Sequence, residues 1–407
     1  MHSIQCIFVF LSSNIFKKME KLQKYFDSML ADTPTGFHRY LWDKIDWRER
    51  MIGLKGPRGI GKTTMLLQYA KEKLERNTTL LVNAEDLYFS SHTLVDLADE
   101  FVRYGGKVLM IDEVHKYENW SRELKLIYDY HSQLKIIFTG SSILDIEHGE
   151  TDLSRRVVAY DMQGLSFREY LIFHHIAEFP TTTLQEIIEH KTAIPNGFRP
   201  YIYFQDYLKA GYYPFAKEPN FELKLMQAIT KTLEIDIPQY TEMSVSNIRK
   251  IKHLLSIISE SVPFKPNMVS IAQILEVSRN TIPEWFTYLE KAGLIAQLRS
   301  DTDGIRSIGK VDKVYLDNTN LMYALGKQNV DIGNARETFF FNQTKICHEV
   351  KVSKEADFKI ETMTFEVGGK NKKQKQIANV ENAFIVKDDT ETGFLNVIPL
   401  WEFGLLY

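Results

Sequence analysis

The sequence predicts an α/β chain: a parallel-sheet core built round a phosphate-binding loop, then a helical connector, a helix–turn–helix with a wing, and a small α/β C-terminal domain. Three observations predict it. Gly56 to Thr63 reads G-x-x-x-x-G-K-T, set between a short apolar run and a helical pattern. The uninterrupted apolar run Val108-Leu109-Met110-Ile111 ends in the acid pair Asp112-Glu113. Residues 267–315 read as helix, tight turn, helix and strand pair.

In the loop, Gly56, Gly59 and Gly61 let backbone N–H groups turn inward round a phosphate without Cβ clashes, and Pro57, Arg58 and Ile60 fill the variable places. Lys62 is expected to reach the β/γ-phosphates and the Thr63 hydroxyl to hold Mg²⁺, with Thr64 opening the following helix. Met51 to Leu54 suits a strand, and Thr64 to Leu74 places Leu66, Leu67, Ala70 and Leu74 on one helical face. A helix N-terminus therefore points at the anion.

Thr79 to Val82 reads as the next strand and Leu94 to Val102 as a short helix. The run from Lys107 to Glu113 is apolar throughout, as a strand buried on both faces requires, and delivers two carboxylates at its C-terminal end. Ligands in open α/β sheets bind beyond the carboxyl ends of strands, so both acids face the phosphates. Asp112 is assigned to the Mg²⁺ shell and Glu113 to the attacking water. Leu134 to Thr139 is a further strand, ending in Gly140-Ser141-Ser142. Thr139 and Ser141 are candidates to touch the γ-phosphate or the lytic water; a plain strand-terminating turn is the alternative. Arg155 and Arg156 follow, and Arg156 is the candidate to stabilise charge developing on the γ-phosphate, within the chain or across a subunit interface. A solvated surface arginine is the competing reading.

Composition sets the bounds. The 407 residues allow two or three domains; 44% are apolar and 25% charged, ordinary for a globular protein. A net charge of −3 does not advertise a nucleic-acid binder, so any basic surface is local. Cys6 and Cys347, the two cysteines, form no C-x-x-C pattern; a disulfide framework and structural zinc are not expected, and a cytoplasmic setting is. No apolar run reaches the length of a membrane span, so no membrane partner is expected. Residues 1–18 form a short apolar extension, and Met19 is expected to be the native start.

The order GPRGIGKTT, VLMIDEVH, IIFTGSS, Arg155-Arg156 and then Leu165-Ser166-Phe167-Arg168-Glu169-Tyr170-Leu171 resembles a family of prokaryotic AAA-type ATPases with an appended C-terminal region of unknown function. The resemblance runs from about Met19 onward. It implies ATP rather than GTP as ligand, Mg²⁺ held with Asp112, water served by Glu113, and a ring or, with the arginine in the same chain, a monomer. The expected fold is thus a P-loop NTPase (AAA-type) parallel sheet over residues 19–171, a helical connector over 172–266, a winged helix over 267–330 and a restriction-endonuclease-like domain over 331–407.

In the winged helix, Val269 to Leu275 and Thr281 to Ala292 are the helices, Leu294 to Leu298 and Val314 to Leu316 the strands, and Asp301 to Gly304 the wing tip. Arg279, Asn280 and Thr281 open the second helix and are candidates to meet double-stranded DNA. Glu284 and Glu290 on the same helix oppose that reading, which leaves packing or a protein partner as the alternative. Trp285, Phe286 and Leu289 are expected in the core.

In the last domain, Glu337, Asp357 and Glu366 resemble the acids of a restriction-endonuclease-like site, which binds Mg²⁺ beside a lysine that activates water. The lysine place is Gly368, and Lys370 lies two residues on. A degenerate nuclease fold used for binding or assembly is therefore favoured over an ATP-gated nuclease. Lys370 to Lys375 is locally basic, suited to phosphates or to a solvated loop.

The leading expectation is an ATPase whose nucleotide state is coupled to the winged helix; the alternative is a nucleotide-switched DNA-binding regulator with little turnover.

Overall fold

The computed structural model describes residues 19–141, 153, 155–241, 243–261, 263, 265–300, 311–326, 330–369 and 377–407. The expected extension 1–18, the wing tip Asp301 to Gly304 and the basic run Lys370 to Lys375 lie outside them. The chain divides into two compact units, one comprising Met1–Pro57 and Gly61–Met162, the other Arg58–Ile60 and Gln163–Tyr407.

The first unit is a mixed α/β layer structure. After helix α1 (residues 19–32) come β1 (Met51–Lys55), α2 (Lys62–Lys73), β2 (Thr79–Asn83), α3 (Leu94–Arg103), β3 (Val108–Asp112), α4 (Trp120–Tyr130), β4 (Lys135–Gly140) and β5 (Val158–Asp161). The five strands pair in parallel in the order β2-β3-β4-β1-β5. Every residue of β1 and β3 is buried, as strands covered on both faces must be. Gly53 interrupts β1 because a Cβ there would come within 2.8 Å of the Phe138 ring. Helix α3 starts where Thr93 and Asp96 form a reciprocal capping box, and Leu94, Leu97, Ala98 and Phe101 give it its buried stripe. The edge strand β5 was not expected from the sequence: it is four residues long, with alternating half-buried and exposed positions.

The strand order positions the site. With β1 beside β4 and β4 beside β3, Leu54 pairs with Thr139 and Ile111 with Phe138. The loop after β1 and the residues ending β3 and β4 thus emerge at one edge of the sheet.

The second unit opens with α5 (Phe167–Phe173), capped by a Ser166–Glu169 box, then α6 (Leu184–Ile188), α7 (Pro200–Ala210) and α8 (Phe221–Lys231). A π-helical turn, Thr232–Asp236, joins α8 to α9 (Ile237–Thr241), followed by α10 (Val245–Ser261). Helices α11 (Met268–Leu275) and α12 (Thr281–Lys291) precede the antiparallel pair β6 (Ile295–Ser300) and β7 (Val311–Leu316). Ile282, Trp285, Phe286 and Leu289 are buried on α12, whereas Arg279 and Asn280 are exposed. Then come α13 (Thr319–Gly326), α14 (Ile332–Thr344), β8 (Val350–Val352), β9 (Phe358–Ile360), β10 (Met363–Gly368), β11 (Ala383–Lys387) and β12 (Val397–Pro399).

All seven of these strands form a separate mixed sheet, ordered β12-β11-β10-β9-β8-β6-β7. The β6–β7 hairpin joins the C-terminal strands through Arg299 opposite Lys351 and Ser300 opposite Val352. Helix α14 is buried along Phe339–Thr344, so its polar side chains need partners. Asn342 donates to the Asp317 carbonyl at 2.8 Å, and Gln343 to the Tyr207 hydroxyl at 3.1 Å. Around it Phe204 meets Phe339 edge to face with centroids 4.8 Å apart, and Phe340, Phe365 and Phe403 pack together.

Glu402 is buried in this core and accepts a 2.6 Å hydrogen bond from Thr192. Burial pushes its carboxyl up to about 7, against the Thr192 hydrogen bond and the His190 charge. A carboxyl raised on folding binds more protons folded than unfolded, so the stability it contributes is present at low pH and is lost as pH rises from the ordinary glutamate range through about 7. Glu402→Gln removes that loss: thermal unfolding above pH 7 moves up relative to wild type, by up to about 3 kcal/mol, and the gap closes near pH 4.

Candidate nucleotide site

The loop between β1 and α2 carries the backbone conformations its glycines were expected to supply. Gly61 caps α2 at φ 96°, in the left-handed region, and offers no side-chain cap to the N-terminal N–H groups of that helix. A glycine at this place leaves those donors directed at an anion. Lys62 is buried, and its ammonium donates to the carbonyls of Gly56 and Pro57 at 2.8 and 2.9 Å. Ile60 is also buried and Thr64 exposed.

Thr63, on the first turn of α2, donates its hydroxyl to both oxygens of Asp112 at 3.0 Å. Thr139, ending β4, donates to Asp112 Oδ1 at 2.5 Å and accepts from the Glu113 N–H at 2.9 Å. Asp112 is only 5% exposed. Burial pushes its carboxyl up, the Thr139 and Thr63 hydrogen bonds and the Lys62 charge pull it down, and the Glu113 charge adds to the rise. Loop, metal-ligand candidate and strand-end hydroxyl are therefore joined by direct contacts.

Glu113 stands at φ 53°, a left-handed conformation uncommon outside glycine and asparagine. That turn separates the direction of its side chain from that of Asp112, the preceding residue. The 3₁₀ turn Val114–Lys116 follows, and places buried His115 with Nε2 3.3 Å from Glu113 Oε2. The Ser141 N–H donates to His115 Nδ1 at 3.3 Å. His115 was not among the residues expected from the sequence, although it stands in the same DEVH segment.

Two expected residues are held by carboxylates. Arg156 donates through both guanidinium arms to Asp129 at 3.0 Å. Arg58, which counts with the second unit, pairs with Asp236 of the π-helical turn at 2.6 and 2.8 Å, and Asp236 is fully buried.

Two of the three nuclease-like acids of the second unit, Glu337 and Asp357, meet through one lysine. Glu337 accepts from the Tyr315 hydroxyl at 2.9 Å, Asp357 from the Val367 N–H at 3.0 Å, and Glu366 is buried. Lys313 on β7, a residue the E-x-K spacing does not point to, stands 3.3 Å from Glu337 and 3.4 Å from Asp357. Burial first, then the Asp357 charge, push Glu337 up, while Lys313 pulls it back. Among the described residues no group of three acids, histidines or cysteines is arranged to hold a metal ion. On α12, Glu290 accepts from the Gln297 backbone and side chain at 2.8 and 2.7 Å and pairs with Arg299, and Glu284 bonds Tyr288. No helix among the described residues is long and apolar enough to cross a membrane.

Residues 48–171 match a family described as an AAA domain, and residues 202–331 match a domain of unknown function. An uncharacterized protein of Methanocaldococcus jannaschii is 27% identical over 319 residues, covering 69% of this chain and 66% of that protein, so the match spans just under two thirds of the relative. Solved structures with similarity include one described as the structural basis for katanin self-assembly, at 15% identity, TM-score 0.25, and coverage of 40% of this chain and 58% of that one. A DNA replication initiation factor gives 16% identity, TM-score 0.27, and coverage of 62% and 85%. PCH-2 of C. elegans gives 16% identity, TM-score 0.24, and coverage of 67% and 66%.

Thr139 is the hinge of the hydrogen-bond set, since its hydroxyl both donates and accepts in a buried place. Thr139→Val keeps the shape and leaves the Glu113 N–H and one Asp112 oxygen without that partner. A loss of about 1–3 kcal/mol in denaturant unfolding is expected.

Proposed function

We propose that this chain, which carries an AAA-type domain followed by a region of unknown function, binds ATP with Mg²⁺ and hydrolyses it. The observation that carries the reading is the contact of Thr63 with Asp112 one residue from Lys62, at a helix N-terminus no side chain caps.

The residues fit the cofactor. A hydroxyl and a carboxylate are hard oxygen donors of the kind Mg²⁺ prefers alongside water and phosphate, and Asp112 is a buried acid for which a cation would offset the cost of ionisation. Thr63 and Asp112 would hold Mg²⁺, which when bound supplies charge neutralisation at the phosphates. Lys62, swung from the Gly56 and Pro57 carbonyls, binds the β/γ-phosphates, and the α2 N–H groups orient them. Glu113 accepts a proton from the attacking water as its oxygen bonds to the γ-phosphorus and the bond to ADP breaks. Ser141 is assigned to the γ-phosphate, and Arg156 serves the transition state on release from Asp129.

Nucleotide state is coupled to the α11–α12 pair, whose exposed Arg279 and Asn280 suit duplex DNA. A binding or assembly role for the C-terminal sheet is favoured over nuclease chemistry because the lysine place after Glu366 is Gly368.

The test is steady-state phosphate release from ATP, with and without duplex DNA. Lys62→Ala is expected to abolish nucleotide binding, whereas Glu113→Gln binds ATP and loses turnover by about 10²–10⁴-fold. Wild-type release no higher than that of Glu113→Gln contradicts the ATPase reading; release indifferent to DNA contradicts the DNA coupling alone.

A further inference from the structure

The geometry points to His115 as a positioning residue for Glu113, tying the water-orienting carboxylate to the backbone of Ser141. The inference deepens the ATPase reading and rests on it.

Three observations meet at this ring. His115 is 1% exposed, so its orientation is fixed by packing and not by solvent. The Ser141 N–H, at 3.3 Å, donates to Nδ1, which must therefore present a lone pair; a neutral imidazole then carries its proton on Nε2. That nitrogen is the one 3.3 Å from Glu113 Oε2. The tautomer set by the strand-end backbone thus puts the ring proton on the nitrogen nearest the glutamate, although the two atoms do not yet meet in hydrogen-bond geometry. The separation is long for a charge-assisted hydrogen bond, as contacts between catalytic groups often are before substrate tightens them.

The backbone at Glu113 supplies the reason such a tether is needed. At φ 53° the residue leaves β3 in a conformation that sterics disfavour, and its side chain has three rotatable bonds to fix before one oxygen can meet a water. Holding the carboxylate beside His115 removes most of that freedom and sets it toward the water. Because the same ring accepts from Ser141, a shift of the β4 end on contact with the γ-phosphate moves the ring and the carboxylate together. Occupancy of the phosphate place is in this way read out at the catalytic base.

Two substitutions separate this role from simple packing. Asparagine at 115 reproduces the Nδ1 acceptor but has no donor at the Nε2 place; glutamine reproduces the Nε2 donor. Phosphate release and binding of a fluorescent ATP analogue are measured on the full chain for wild type, His115→Asn, His115→Gln and Glu113→Gln. The expected result is a kcat about 10²-fold lower in His115→Asn with KM and analogue affinity within about threefold of wild type, and at least about tenfold of that loss recovered in His115→Gln. In the double variant His115→Asn/Glu113→Gln, turnover equals that of Glu113→Gln alone, since the two act as one unit. A His115→Asn kcat within about twofold of wild type, equal losses in the two His115 variants, or a His115→Asn chain that no longer binds the analogue overturns the proposal while leaving the ATPase reading standing. Wild-type release equal to that of Glu113→Gln instead overturns that reading, and the positioning role falls with it.

Discussion

The buried carboxylate of Asp112 is the constraint on which the first unit depends. An ionised group in that place is costly unless hydrogen bonds surround it, and it receives them from Thr63 on α2 and Thr139 at the end of β4. Those hydroxyls come from the helix that follows the phosphate loop and from the strand that pairs with both β1 and β3. Satisfying one acid thereby ties together two strand ends and the start of a helix. The same acid stays short of full compensation, since burial still raises its carboxyl, and a divalent cation beside it would supply the remainder.

The second unit answers its own polar burial differently. Its core is a packed set of aromatic rings round α14, with Asn342 and Gln343 bonded to Asp317 and Tyr207 inside it. Its acids are met by chain cations: Lys313 between Glu337 and Asp357, Arg336 on Asp388, Lys345 on Asp317 and Arg58 on Asp236. Removing one partner of such a pair leaves a charge with nothing to offset it. The difference bears on function: in the first unit the key acid is met by neutral hydroxyls and retains capacity for a cation, whereas in the second the ammonium of Lys313 already stands between the acids.

Much of the first unit was legible in the sequence for physical reasons. Parallel strands buried on both faces must be continuously apolar, so β1, β3 and β4 announced themselves, and a loop that bonds phosphate through backbone N–H groups needs glycine where Gly61 turns left-handed. Short or non-local features were not legible. β5 has only four residues and a mixed burial pattern. The joining of the β6–β7 hairpin to β8 depends on pairing Arg299 with Lys351, which no local pattern encodes. Lys313 and His115 are common residue types whose meaning lies in what the fold brings beside them. The order of helix, turn, helix and hairpin was visible, yet Glu290 pairs inside the fold with Gln297 and Arg299, a contact that spacing alone does not reveal.

The central claim is that Thr63, Asp112 and Lys62 form one nucleotide–metal site. Calorimetric titration of ATP into the Glu113→Gln chain, with Mg²⁺ and then with excess chelator, tests it most directly, because binding is read without turnover. The account predicts saturable binding of one ATP per chain that weakens by at least about tenfold on chelation, about 1.4 kcal/mol, and in Asp112→Asn no longer responds to the metal. No binding, or binding of equal strength with and without Mg²⁺, would contradict it.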